Sequence, residues 1–234
     1  MKNTHSVSLL HKFTALFLAT LIALPHFAVA VAAEQKTIGA FANSAVAHYR
    51  KGEYDKAIAD INKVIASDPK NAYAYNIRGN AYYMKGEYDT AMSNYTKAIE
   101  LKPTMALYHN NRGNCYYAKG DRDKAIDDYS RAIDIDPKFG MAYINRGQCR
   151  ADKGFYFTAI ADFDEAIKVD PQNAHHARAE REKAERNRIA QEQNTKAIGN
   201  AKDTGGSAAG IAIVGALTVV GGFLWYLATG EEKK

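Results

Sequence analysis

The chain is short of cysteine and lacks the motifs around which catalytic and metal-binding sites are commonly built. It holds two cysteines in 234 residues, Cys115 and Cys149, too few for a disulfide-stapled scaffold or a four-thiolate zinc site. It contains no Gly-rich phosphate loop, no zinc-ligand spacing and no nucleophile elbow. Nothing in it points to catalysis, so no enzyme activity, cofactor or metal is expected. The tandem His175-His176 has no cysteine or carboxylate at ligand spacing and reads as solvated. Charge of one sign is also scarce. The formal net charge is +5, and residues 34–173 carry 20 Lys and Arg against 19 Asp and Glu. A nucleic-acid binder shows a basic stripe, and its absence argues against a nucleic-acid partner. Long apolar runs occur in two places, Phe13–Leu24 and Ala208–Ala228.

What is present is periodic. Of five prolines, Pro69, Pro103, Pro137 and Pro171 lie 34 residues apart. The same period sets Gly52, Gly86, Gly120 and Gly154, and again Ala57, Ala91, Ala125 and Ala159. Fixed self-similarity at this length marks a stacked repeat array. The units are 38–71, 72–105, 106–139 and 140–173. Within each, apolar residues recur at helical spacing in two runs separated by Lys-Gly, a helix C-terminus and turn. The residue before each proline is pushed out of the helical region, ending the second run. Gly79, Gly113 and Gly147 fall mid-helix, at a cost of about 1 kcal/mol each relative to Ala. Their repetition predicts a close approach of the paired helix, with Ala91, Ala125 and Ala159 as the small opposing surface.

The second unit has Tyr75, Gly79, Tyr82, Ala91, Tyr95, Ala98 and Pro103 at positions 4, 8, 11, 20, 24, 27 and 32. The third has His109, Gly113, Tyr116, Ala125, Tyr129, Ala132 and Pro137; the fourth departs only by Arg150 at position 11. The first is the weakest, with Ala45, His48 and Val64 at three of the seven positions. This pattern resembles the tetratricopeptide repeat (TPR) family over 136 of the 234 residues. The resemblance implies an all-α fold, an α-solenoid of four antiparallel helix-turn-helix repeats. A polar capping helix over 174–198 and one C-terminal transmembrane helix complete the expected fold.

The flanking segments suggest a membrane setting. Residues 1–33 read as a signal peptide, with Lys2 and Lys12, the run Phe13–Leu24, Pro25 and then Ala28-Val29-Ala30 as a small-x-small cleavage site; retention as an uncleaved anchor is the alternative. In 174–198, Arg178 with Glu182, Arg181 with Glu185 and Glu182 with Arg186 are i,i+4 neighbours. Residues 199–207 read as a linker. The 208–228 segment, 21 residues without a charge, spans about 31 Å as a helix, the thickness of the hydrocarbon layer. Its stripe Ala208, Ala212 and Ala216 permits close contact between helices in lipid and hence a homodimer through this segment. Residues 229–234 form a tail. These parts predict an exported single-pass protein of a bacterial inner membrane with its repeats in the periplasm.

The first helix of each unit lines the concave wall in the resembled family. Its positions 2, 5, 9, 12 and 13 correspond here to Tyr73, Asn76, Asn80, Tyr83 and Met84, then Leu107, Asn110, Asn114, Tyr117 and Ala118, then Met141, Ile144, Gln148, Ala151 and Asp152. Asn and Gln offer a donor and an acceptor that can hold an extended peptide backbone, and Tyr adds amphipathic contact area. Tyr73, Asn76, Asn80, Tyr83, Asn110, Asn114, Tyr117, Asn145 and Gln148 are therefore the candidate peptide-binding residues. Arg78, Arg112 and Arg146 stand at position 7, where Arg78 and Arg146 would meet Asp60 and Asp128 of the preceding unit. Cys115 and Cys149 share position 10 with Ala47 and Ala81 and are expected as buried thiols. The leading functional expectation is a membrane-anchored exported scaffold for a protein or peptide segment. A tail-anchored cytosolic adaptor and a self-assembling structural protein are the alternatives.

Overall fold

The computed structural model describes residues 36–203, and every regular element among them is helical. The helices are α1 (36–50), α2 (Tyr54–Ser67), α3 (Ala72–Met84), α4 (Tyr88–Leu101), α5 (Ala106–Ala118), α6 (Arg122–Ile135), α7 (Gly140–Asp152), α8 (Tyr156–Val169) and α9 (Ala174–Asp203). A single 3-10 turn, Pro171–Asn173, leads into α9. The described residues form two compact units, 36–103 and 104–203. The proposed signal peptide at 1–33 and membrane helix at 208–228 lie outside the described residues. Among those described, no helix is long and apolar enough to cross a membrane.

The turns follow the sequence. Gly52, Gly86, Gly120 and Gly154 take φ of +77 to +85°, the left-handed conformation that ends a helix and that side chains resist. The residues before the prolines, such as Asp68 at φ −133° and ψ 84°, have left the helical region, as the proline ring requires.

Packing differs from expectation at the mid-helix glycines. A Cβ placed on Gly79 would lie 2.7 Å from the ring of Tyr95, on Gly113 2.7 Å from Tyr129, and on Gly147 2.8 Å from Phe163. The aromatic at position 24, not the alanine at position 20, fills the space the glycine leaves. Ala91, Ala125 and Ala159 are fully buried nonetheless. The first repeat confirms the logic by a double replacement. There Ala45 stands for the glycine and Ile61 for the ring, and both are buried in one cluster with Val64 and Ala74. A branched aliphatic leaves room for a methyl group that a ring does not.

Position 7 also behaves differently from the sequence reading. Arg112 forms a two-pronged pair with Asp128, 2.8 Å at each contact, and Arg146 does the same with Asp162 at 3.2 and 2.8 Å. Arg78 donates to Asn94 at 2.7 Å, and Ser44 to Asp60 at 2.6 Å. In all four repeats position 7 bonds to position 23 of its own repeat, so the expected pairs of Arg78 with Asp60 and Arg146 with Asp128 do not form. The preceding repeat is reached at position 25 instead, through Arg78 to Asn62 at 2.8 Å and Arg146 to Ser130 at 3.0 Å.

The second unit ends in α9, which packs on α8 and touches α7. Continued past Asn173, the repeat count puts Ala177 and Ala184 at positions 4 and 11 of a further first helix, and both are buried. Two charge pairs change accordingly. Arg181 reaches Asp164 on α8 at 2.5 Å rather than Glu185, and Glu185 pairs with Arg188 at 2.7 Å. The helix also runs to Asp203, into the stretch read as linker. Gly199 is a lone, exposed glycine, too weak a breaker to stop a helix at about 1 kcal/mol.

Candidate functional site

Within the second unit, α5 lies against α7 and α7 against α9, while α6 and α8 make no such contact among the described residues. The first helices are thus closer together than the second ones, and the first-helix side is concave. Along this side Leu107 on α5 and Met141 on α7 share position 2, and both remain exposed, at 39% and 45%.

Next to them sits a knot of amides. Asn145 Nδ2 donates to Asn110 Oδ1 at 2.9 Å and to Asn114 Oδ1 at 3.2 Å, tying α7 to α5. Asn114 Oδ1 also accepts from the hydroxyl of buried Tyr129 at 2.8 Å. Asn110 is itself buried. These three candidates are therefore brought together, but much of their hydrogen-bonding capacity is spent on one another. Gln148, at the same position as Asn114 in the next repeat, makes no side-chain hydrogen bond among the described residues and stays half-buried. Phe163 occupies the place of Tyr129 there, so no hydroxyl is available to Gln148.

At the other end of α7, Tyr117 donates to Asp152 Oδ2 at 2.9 Å, and Arg122 Nε does so at 3.2 Å. The guanidinium of Arg122 lies 4.0 Å over the Tyr117 ring. Burial, then the adjacent Asp152 carboxylate, push the Tyr117 hydroxyl up to about 12, so it remains a donor. Burial likewise pushes the Cys149 thiol up to about 12. Cys115 and Cys149 are buried and not joined in a disulfide, as position 10 predicts.

In the first unit, Tyr73 is exposed at 52%. Asn80 repeats the tyrosine bond, accepting from Tyr95 at 2.8 Å. Asn76 is buried to 1% exposure, where the register places it on the groove wall. The Tyr83 ring leans on Tyr88 with centroids 5.4 Å apart.

The TPR repeat profile matches residues 46–86 and 79–120, and the tetratricopeptide repeat profile matches 106–139. Residues 46–139 carry tetratricopeptide repeats. A crystal structure of MamA is similar to this TPR chain with a TM-score of 0.55 and 28% identity, over 62% of this chain and 85% of that one. A second MamA structure, at 0.53 and 23% identity over 65% and 88%, shares the fold. The Sgt2 TPR domain from Aspergillus fumigatus matches at 0.50 and 27% identity, over 52% of this chain and 82% of its own. No curated protein sequence matches the chain.

Sequence reasoning passed over two groups of residues here. Leu107 and Met141 were legible as wall positions, but their exposure was not. Glu180 and Asn187 on α9, which line a cleft with Gln148, become visible only when the repeat count is carried past Asn173.

Proposed function

We propose that this TPR scaffold presents the α5–α7–α9 face of its second unit to an extended segment of a partner protein. The observation that carries the reading is the exposure of Leu107 and Met141 at one register position of successive first helices, beside the unspent amide of Gln148. Exposed apolar side chains next to open hydrogen-bonding groups suit a peptide that offers both a backbone and apolar side chains. Anchoring of the scaffold through 208–228, with export of the repeats, belongs to the same proposal and rests on that uncharged 21-residue stretch.

The test is selection of random decapeptides on the full chain in detergent. Replacing Leu107 and Met141 with Ser and Gln148 with Ala should cut the affinity of the selected peptides at least about tenfold, the loss of a few apolar contacts and a hydrogen bond. The thermal midpoint should move little, because Leu107 and Met141 are exposed and Gln148 makes no side-chain hydrogen bond among the described residues. A chain ending at Ser207 should leave the membrane fraction yet select the same peptides. Undiminished capture by the triple variant would remove this face as the site, and membrane retention of the shortened chain would remove 208–228 as the anchor.

A further inference from the structure

At the Asp152 end of the face, α7 and α9 leave a cleft with about 40 Å³ of water-accessible space. Its polar lining is Gln148 and Asp152 from α7 and Glu180, Lys183 and Asn187 from α9. The acceptors in this cleft are largely unspent. Asp152 uses Oδ2 for Tyr117 and Arg122, and among the described residues nothing donates to its Oδ1. The Glu180 side chain is only 20% exposed, yet its nearest cation, Lys183 Nζ, lies 3.7 Å from Oε2, beyond hydrogen-bond distance. Gln148 and Asn187 have no side-chain hydrogen bond among the described residues. Asp152 has the Arg122 guanidinium as its cation, whereas Glu180 has only Lys183, which is 60% exposed and free to swing outward.

Resting on the peptide-binding reading above, we propose that the cleft takes the side-chain ammonium of a lysine in the bound peptide. The ammonium carries three donors for the free oxygens of Asp152, Glu180, Gln148 and Asn187, and its charge complements the Glu180 carboxylate, whose own cation stands 3.7 Å off. Size agrees. A water needs about 10–15 Å³ of such space, so an ammonium and its last methylene fit. Met141 and Asp152 are 11 residues apart on α7, about 16 Å along the helix. An extended chain covers that in roughly three to five residues once the lysine's own reach is counted. The recognised segment is therefore an apolar residue followed or preceded at that distance by lysine.

The random-decapeptide selection on the full chain decides it. Selected peptides should share a lysine three to five residues from a Leu, Ile, Met or Phe. Norleucine in place of that lysine should weaken binding about tenfold or more, the loss of a charge-assisted contact. Glu180→Gln should weaken the lysine peptide comparably and leave the norleucine peptide unaffected, with the urea midpoint unchanged. Peptides that bind through the Leu107 and Met141 face but show no lysine, or that prefer arginine, overturn this inference and leave the groove reading intact. Failure to select any peptide overturns both.

Discussion

The third and fourth repeats solve the same position in two ways. Asn114 sits beside Tyr129 and accepts its hydroxyl; Gln148 sits beside Phe163 and has nothing comparable to accept. One oxygen atom on the opposing ring separates an amide that holds the hairpin together from one that is open to a ligand. The second repeat sides with the third, since Asn80 accepts from Tyr95. A row of amides that looks uniform in sequence is thus divided by its partners, since Asn80 and Asn114 accept from a ring hydroxyl and Gln148 has none to accept from.

The largest effect should come from attacking the part of the hairpin that the two repeats share. Gly113→Leu drives a side chain into a Tyr129 ring already 2.7 Å from an added Cβ, and should cost at least the ~1–3 kcal/mol of ordinary overpacking. The first repeat supplies the rescue: Gly113→Ala combined with Tyr129→Ile copies Ala45 and Ile61, and should lose less in a urea melt than Gly113→Ala alone. A double variant weaker than the single one would mean that ring and glycine are not the coupled pair.

A smaller effect separates the repeats by acid. Burial alone would raise the Asp128 carboxyl, but its two bonds from Arg112, with the His109 ring 3.6 Å away, outweigh it and hold the group below the usual 3.8. The ionised form is favoured by folding. Its stabilisation is present above the ordinary carboxylate value and disappears as pH falls through the lower folded one. Asp128→Asn should therefore flatten the drop in urea midpoint below about pH 4, while lowering stability at neutral pH by leaving the Arg112 charge half-paired. An unchanged acid slope would assign the acid sensitivity to other carboxylates.

Much of the fold was legible because each repeat states it again. The glycine, alanine and proline ladders set the helix ends, the left-handed turns and the hairpin register. What faces what was less legible. Position 7 finds position 23 of its own repeat and position 25 of the one before, and both lie 16 residues away. Spacing alone does not choose between them, and helix-crossing geometry does. The site was legible only as a surface. The register named Asn110 and Gln148 alike, but burial of one and freedom of the other follow from the neighbouring helix. The end of α9 was misplaced because it carries no breaker stronger than Gly199 before the described residues stop.

The division between Asn114 and Gln148 is tested most directly by measuring urea midpoint and peptide affinity together on Asn114→Ala and Gln148→Ala. Removing Asn114 takes an acceptor from the buried Tyr129 hydroxyl and from one donor bond of Asn145, and should cost about 1–3 kcal/mol of stability. Removing Gln148 should leave stability within about 0.5 kcal/mol and weaken the selected decapeptides severalfold. Equal stability losses in the two variants, or peptide affinity untouched by Gln148→Ala, would contradict the account.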